Sequence, residues 1–287
     1  MNHPDYNSPA ELKNVLDSNG FSMQKKFGQN FLINAAARQK LIETLSVEKD
    51  MKVWEIGPGL GAMTSGLLEA GADLTVFEID RGFAGLISQY FEDYKVNNHF
   101  HLVEGDVLKT WKAEADKGIP SRLFGNLPYN IAATIIADTI EEGIRFDKCV
   151  FTVQKEVAQR MCAKPGTEDY SSFSVLCQWA YDLKPVIDLG GGNFWPKPNV
   201  DSRAVLLTKK EGWPLCKNPK AFVKLQRALF SSRRKNVRNN LSAYLKNNDL
   251  TQKYLAEAGI AAEKRADVLS IQEILHLSDV IEGGKND

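Results

Sequence analysis

Short apolar runs alternate with amphipathic stretches along the first two-thirds of the chain, and their order predicts strands alternating with helices. Met51–Ile56, Asp73–Asp80, Phe100–Asp106, Ser121–Asn130 and residues 149–154 (CVFTVQ) each read as a strand. The first of these is too uniformly apolar to alternate, as suits a parallel strand covered on both faces. Helices are expected at about 62–69, 81–91 and 131–140, with AAARQKLIETL before the first strand and KEVAQRMCA after the fifth. Residues 107–120 are polar helix or loop. SFSVLCQWA is too short an apolar run to decide alone and is read as a helix. KPVIDL and RAVLLTK form the last strands, on either side of GGGNFWPKPNVDS. This order predicts a doubly wound α/β domain. Ahead of it, a helix begins at Ser8, with Pro9 in its first position and Glu11 placed to complete a capping box.

After KKEGWPLCKNP, whose two prolines and glycine suggest a linker, the pattern turns helical through FVKLQRALF, NVRNNLSAYLKN, TQKYLAEAGI and SIQEILHLSDVI. The expected organisation is an N-terminal extension with a short helix (1–22), an α/β domain (23–208) and a smaller helical domain (209–287). Composition changes this picture little. Lys plus Arg and Asp plus Glu are 36 each, so the net charge is zero and any nucleic-acid surface must arise from local clustering. The four cysteines and four histidines show no ligand spacing, and no metal is expected. The N-terminus lacks the basic start and apolar run of a signal peptide, and no stretch is long enough to span a bilayer; a cytoplasmic protein without membrane contact is expected.

Glu55-Ile-Gly-Pro-Gly-Leu-Gly61 follows a strand and opens a helix. Gly57 and Gly59 permit a tight turn that a ligand can approach, and Gly61 allows close helix–strand packing. Glu78 stands 21 residues after Gly57 at the end of the next strand, positioned for ribose hydroxyls. On this motif alone, NAD and S-adenosylmethionine are equally good readings. Pro58 removes a backbone donor that a pyrophosphate would use. Glu55 would sit badly beside phosphate but well beside a cationic methionine moiety, and Asp106 is within reach of a cofactor's adenine amine. Three carboxylates around one glycine turn favour a sulfonium ligand over a dinucleotide, and methyl transfer over hydride transfer.

Asn126-Leu-Pro-Tyr129 ends the fourth strand. An adenine amine is a poor nucleophile because its lone pair is delocalised into the ring. Two acceptors for its hydrogens, the Asn126 side-chain oxygen and the Leu127 carbonyl, would direct that lone pair at a methyl donor. Pro128 biases Leu127 away from helical dihedrals and so orients the carbonyl, and Tyr129 can stack on the base. In the later glycine- and proline-rich loop, exposed Phe194 is assigned to the other face of the base and Trp195 to packing. The competing reading is that both seal the domain edge.

KKFGQNFL, EIGPGLGAMT, FEID, EGD, FGNLPYNIA, VQKEVAQRM, PGTEDYSSFSVLCQ, FWPKPNVDS and LFSSRRKNVRNNL occur in this order between about 24 and 245. With them the chain resembles the ribosomal RNA adenine dimethylases. The resemblance implies a Rossmann-like S-adenosylmethionine-dependent methyltransferase domain with a helical C-terminal domain. It also implies that Asn30 and Leu32 line the cofactor pocket with Gly57, Glu78, Asp106 and Asn126. The implied reaction is transfer of two methyls to each of two adjacent adenines in the 3′-terminal hairpin of 16S rRNA, on the small ribosomal subunit during its assembly. The chain departs from the usual pattern at Gly190–Gly192 and Pro196–Asn199, where a more mobile loop is expected.

Between Ala221 and Leu241, Lys224, Arg227, Arg233, Arg234, Lys235 and Arg238 occur with no acid among them. With Lys25 and Lys26 they are the candidate surface for an RNA backbone, not DNA. A monomer is the simplest acting form. Three rivals are a large-subunit rRNA adenine methyltransferase, a subunit-assembly factor without catalysis, and an NAD-dependent dehydrogenase.

Overall fold

The computed structural model describes residues 3–21, 30–127 and 129–284, with backbone only at 129 and 130. These residues divide into two compact units interleaved in sequence. One comprises Met1–Ile135, Arg145–Ala158 and Lys184–Thr208; the other comprises Ile136–Ile144, Gln159–Leu183 and Lys209–Asp287.

The elements run α1 (Pro9–Ser18), β1 (Phe31–Leu32), α2 (Ala35–Leu45), β2 (Lys52–Ile56), α3 (Ala62–Glu69), β3 (Asp73–Glu78), α4 (Arg81–Tyr90), α5 (Glu92–Val96), β4 (Phe100–Glu104), α6 (Val107–Ala115), β5 (Arg122–Asn126), α7 (Tyr129–Glu141), β6 (Lys148–Gln154) and α8 (Lys155–Cys162). There follow α9 (Ser172–Ala180), β7 (Tyr181–Leu189), β8 (Phe194–Trp195), β9 (Ser202–Lys209), α10 (Pro219–Leu229), α11 (Val237–Leu245), α12 (Asn248–Glu257) and α13 (Ile271–Gly283).

The main sheet has the order β4-β3-β2-β5-β6-β9-β7. From β4 through β6 neighbouring strands are parallel, and β9 lies antiparallel to β6. From β2 the chain winds outward through β3 and β4, then returns to place β5 on the other side of β2, with Ile56 opposite Gly125. The direction of winding reverses there, and in open α/β sheets such a point leaves a crevice beyond the strands' carboxyl ends. Core strand residues such as Val53, Leu74, Val76, Phe124 and Val150 are buried. Fully burying a side chain of this kind contributes about 1.5–3 kcal/mol relative to exposure.

The N-terminal helix differs from its expected cap. Ser8 Oγ accepts the Glu11 N–H at 3.3 Å, but the Glu11 carboxylate accepts from the Asp5 N–H at 2.8 Å. The Ser8 N–H is already donated to the Asp5 carbonyl at 3.0 Å, so only half of a capping box forms. Tyr6, Leu12 and Leu16 bury themselves against Phe31, Leu60, Phe83 and Leu86, which packs the extension onto the glycine turn.

In the second unit, α10 buries Phe222, Val223, Leu225 and Leu229 and leaves Lys224 and Arg227 exposed. The 209–219 stretch is tied down: the Trp179 indole donates to the Pro214 carbonyl at 2.6 Å, and Trp179 packs on Trp213 and Phe222. No helix among the described residues is long and apolar enough to cross a membrane, and no group of His, Cys, Asp or Glu among them could hold a metal ion.

Candidate active site

A cavity of about 310 Å³ opens at the carboxyl end of β2, β3, β4 and β5, bounded by the 57–59 turn, Glu78, Asp106, Asn126 and Phe194. Adjacency of β2 and β5 brings together the two turns singled out in the sequence. The Asn126 carbonyl lies 3.7 Å from where a Cβ on Gly57 would stand.

Gly59 has φ +57°, and a Cβ there would come within 3.0 Å of the Phe31 ring, so this backbone is both left-handed and tightly covered. Gly61 has φ +92° and caps α3, but its close neighbours are not the strand expected from the sequence. A Cβ would meet Phe91 at 2.7 Å and the Tyr6 hydroxyl at 3.1 Å. Two rings from other elements occupy the space that a side chain would need. Tyr6, which sequence reasoning passed over, donates its hydroxyl to the Leu60 carbonyl at 3.0 Å. Tyr6→Phe keeps the ring and removes this bond. It is expected to lower stability by about 1 kcal/mol in a denaturant titration and to weaken cofactor binding a few-fold by calorimetry.

Glu55 is 1% exposed and accepts from the Thr64 hydroxyl at 2.7 Å. Burial pushes its carboxyl up to about 8, and the nearby Glu78 adds to the rise. Glu78 accepts the Gly59 N–H at 3.1 Å and the Asp80 N–H at 2.8 Å. Burial raises it to about 7 against the pull of those N–H bonds. Asp106 caps α6 by accepting the Leu108 N–H at 3.0 Å, so the cavity wall is also a helix start.

On the reaction side, the Asn126 Nδ2 donates to the Asn30 carbonyl at 3.2 Å. A carbonyl can only accept, so this bond fixes the amide and turns Oδ1 away from Asn30. Leu127 is buried, and its N–H donates to the Thr152 carbonyl at 3.1 Å. Pro128, the Tyr129 side chain, Lys25 and Lys26 lie outside the described residues.

Phe194 departs from its expected exposure. It is 4% exposed and lies in β8, paired antiparallel with β1 through Leu32, where it joins the core and lines the cavity. Trp195 stacks on Phe31 with ring centroids 6.2 Å apart. The Asn193 carbonyl accepts the Ile33 N–H at 2.9 Å, which ties the 190–193 turn to the same ribbon.

Residues 20–282 match the sequence profile described as "Ribosomal RNA adenine dimethylase". The chain is 49% identical to a Treponema denticola protein named "Ribosomal RNA small subunit methyltransferase A", over 98% of this chain and 97% of that one. It is 40% identical to a Borreliella burgdorferi protein of the same name, over 96% and 95%. The chain belongs to the ribosomal RNA adenine dimethylase family.

The methyltransferase is also similar in structure to a dimethyladenosine transferase from Plasmodium falciparum, with TM-score 0.74, 25% identity and coverage of 88% of this chain and 96% of that one. The 23S rRNA methyltransferase ErmE shares the fold at TM-score 0.63 and 22% identity, covering 88% of this chain and all of ErmE. The fold is Rossmann-like, and the enzyme depends on S-adenosylmethionine. The cavity suits that donor: its wall carries two buried carboxylates and Asp106, and its turn holds Gly59 at φ +57° with the Phe31 ring tight against it.

The raised carboxyls give the methyltransferase a pH signature. Between about 4.5 and 8 the unfolded Glu55 has lost its proton while the folded one keeps it, so the unfolded state binds fewer protons. Stability of the ligand-free protein should therefore fall as pH rises from 5 to 8, and Glu55→Gln should flatten that fall in thermal melts. A cationic ligand prefers the ionised carboxylates, so S-adenosylmethionine affinity should rise over pH 6 to 8.5.

The methyltransferase presents its basic residues in the second unit, all exposed: Lys224 and Arg227 on α10, Arg233–Lys235 in the turn after it, and Arg238 in the first turn of α11. Arg227 pairs with Glu141, and Arg233 donates to the Glu168 carbonyl. Lys224, Arg234, Lys235 and Arg238 make no ion pair among the described residues. Sequence reasoning also missed Thr152 and Ser202, which line the cavity beyond Asn126. For Thr152 a signal existed: it is the one hydroxyl inside the otherwise apolar CVFTV run of β6.

Proposed function

We propose that this enzyme transfers two methyl groups to the exocyclic amine of each of two adjacent adenines in the 3′-terminal hairpin of 16S rRNA, on the assembling small subunit. The observation that carries the reading is the held amide of Asn126, 3.2 Å from the Asn30 carbonyl, in a cavity shared with the Gly57–Gly59 turn. The relatives named for the small subunit, at 40–49% identity over nearly the full chain, favour this substrate over the large subunit.

Bound over the glycine turn, S-adenosylmethionine supplies an electrophilic methyl. Glu78 accepts from ribose hydroxyls, Asp106 meets the cofactor's adenine amine, and Asn30 and Leu32 close the pocket. Asn126 Oδ1 accepts one hydrogen of the target amine and the Leu127 carbonyl accepts the other, which pyramidalises the nitrogen and aims its lone pair. The amine enters neutral, so no strong base is required beforehand, and its proton leaves to water after transfer. Before the second transfer the amine carries a methyl and offers a single hydrogen, so one of these two bonds is lost. Tyr129 stacks on the base, and Phe194 shapes the pocket from within the core. The basic residues of the second unit, with Lys25 and Lys26, hold the RNA backbone. The enzyme acts as a cytoplasmic monomer.

The test is mass mapping of methylated adenines after incubating the protein and labelled cofactor with undermethylated small subunits. Dimethylation of the two adjacent adenines is expected. Methylation confined to large-subunit rRNA would overturn the reading.

A further inference from the structure

Thr152 is 2% exposed, and its Oγ1 is buried with no hydrogen-bond partner among the described residues. Buried hydroxyls are ordinarily paired, and one left open asks what completes it. Its neighbours along β6, Phe151 and Val153, are apolar and fully covered, so a valine here would fill the same space without a lone polar atom. The residue lines the cavity together with Asn126, Leu127 and Ser202.

The strand register says where along the cavity it lies. Asn126 and Thr152 are direct partners in the parallel β5–β6 ladder, so their side chains stand on the same face of the sheet. The backbone is tied at the same level by the Leu127 N–H donated to the Thr152 carbonyl at 3.1 Å. Since the order is β2-β5-β6, Thr152 stands on the opposite side of Asn126 from the glycine turn. The carboxylates that suit the cofactor belong to β2 and β3, and the unpartnered hydroxyl, closed off from solvent in the ligand-free protein, belongs to the strand on the side left for the base.

We infer that the Thr152 hydroxyl is a further substrate contact, donating a hydrogen bond to a ring nitrogen that flanks the target amine, N1 or N7 of adenine. With Asn126 Oδ1 and the Leu127 carbonyl taking the amine hydrogens, the ring nitrogen beside the amine is the remaining acceptor on that edge. Were the nitrogen N1, the contact would also select adenine, because guanine carries a hydrogen there and an oxygen in place of the amine.

The inference rests on the adenine methylation proposed above, and the experiment separates the two. Thr152→Val and Thr152→Ser are compared with the parent on undermethylated small subunits, and on subunits reconstituted with 1-deazaadenosine or 7-deazaadenosine at the target positions. Thr152→Val is expected to lose about tenfold in kcat/KM, of the order a lost hydrogen bond to substrate gives. Thr152→Ser should stay within about threefold of the parent, and S-adenosylmethionine affinity should be unchanged in both. One deaza substrate should slow the parent by a similar factor and slow Thr152→Val no further. Parental rates in Thr152→Val, a loss confined to cofactor affinity, or a parent indifferent to both deaza substrates would each overturn the contact. The last readout needs no variant to fold. Failure of the parent on natural subunits would instead strike the proposed function.

Discussion

Asn126→Ala is expected to slow methyl transfer by about a hundred- to a thousandfold, the size of effect seen when one preorganised polar contact to a reacting group is removed. Dissociation constants for RNA and S-adenosylmethionine should move by less than about threefold. The asymmetry follows from where the amide is held. Its nitrogen is committed to the Asn30 carbonyl at 3.2 Å, so its oxygen is oriented before any substrate arrives. That preorientation matters most as the amine nitrogen turns pyramidal, when its hydrogens become more acidic and its bonds to acceptors strengthen. Single-turnover rates with saturating cofactor and subunits measure the step directly. Asn126→Asp keeps an acceptor but sets a carboxylate oxygen against the Asn30 carbonyl, so it should recover only part of the rate. Equal single-turnover rates for Asn126→Ala and the parent would remove Asn126 from the reaction.

The parts of this site legible in the sequence are those written by strand ends. Buried parallel strands are short apolar runs, and a ligand site at a sheet's carboxyl edge must use the residues that follow them. Gly57–Gly61, Glu78, Asp106 and Asn126 could therefore be picked out by position, and the return of β5 beside β2 brings their turns together. What was not legible depends on contacts distant along the chain. Phe194 reads as a loop aromatic because a two-residue strand has no period, and only its pairing with Leu32 makes it core. Tyr6 meets Leu60 across 54 positions. Residues 159–183 read as part of the α/β alternation, yet they belong to the second unit, because Trp179 packs on Trp213 and Phe222. Thr152 was visible as an oddity, but its unpartnered hydroxyl exists only once β5 and β6 are side by side.

The basic cluster offers the second large effect, and here stability and binding should move in opposite directions. Arg234, Lys235 and Arg238 crowd the start of α11, whose first turn carries no acid. Cations at a helix N-terminus oppose the positive end of its dipole, each by about 0.3–1 kcal/mol at low salt. Residues kept there for folding would be acidic, so an anionic partner is the better account of them. Arg227 and Arg233 are left out of the variant because each already bonds within its own unit, to Glu141 and to the Glu168 carbonyl. Replacing Arg234, Lys235 and Arg238 together by glutamine should raise the RNA dissociation constant at least about tenfold near 0.1 M salt. It should also reduce the slope of log K against log salt by about two, since each lost phosphate contact removes roughly 0.7–0.9. The melting temperature should hold or rise slightly as the repulsion at the helix start is relieved. Turnover at saturating subunit concentration should be close to parental, because none of these side chains belongs to the cavity wall. A variant that melts earlier while binding RNA with an unchanged salt slope would show these charges to be structural.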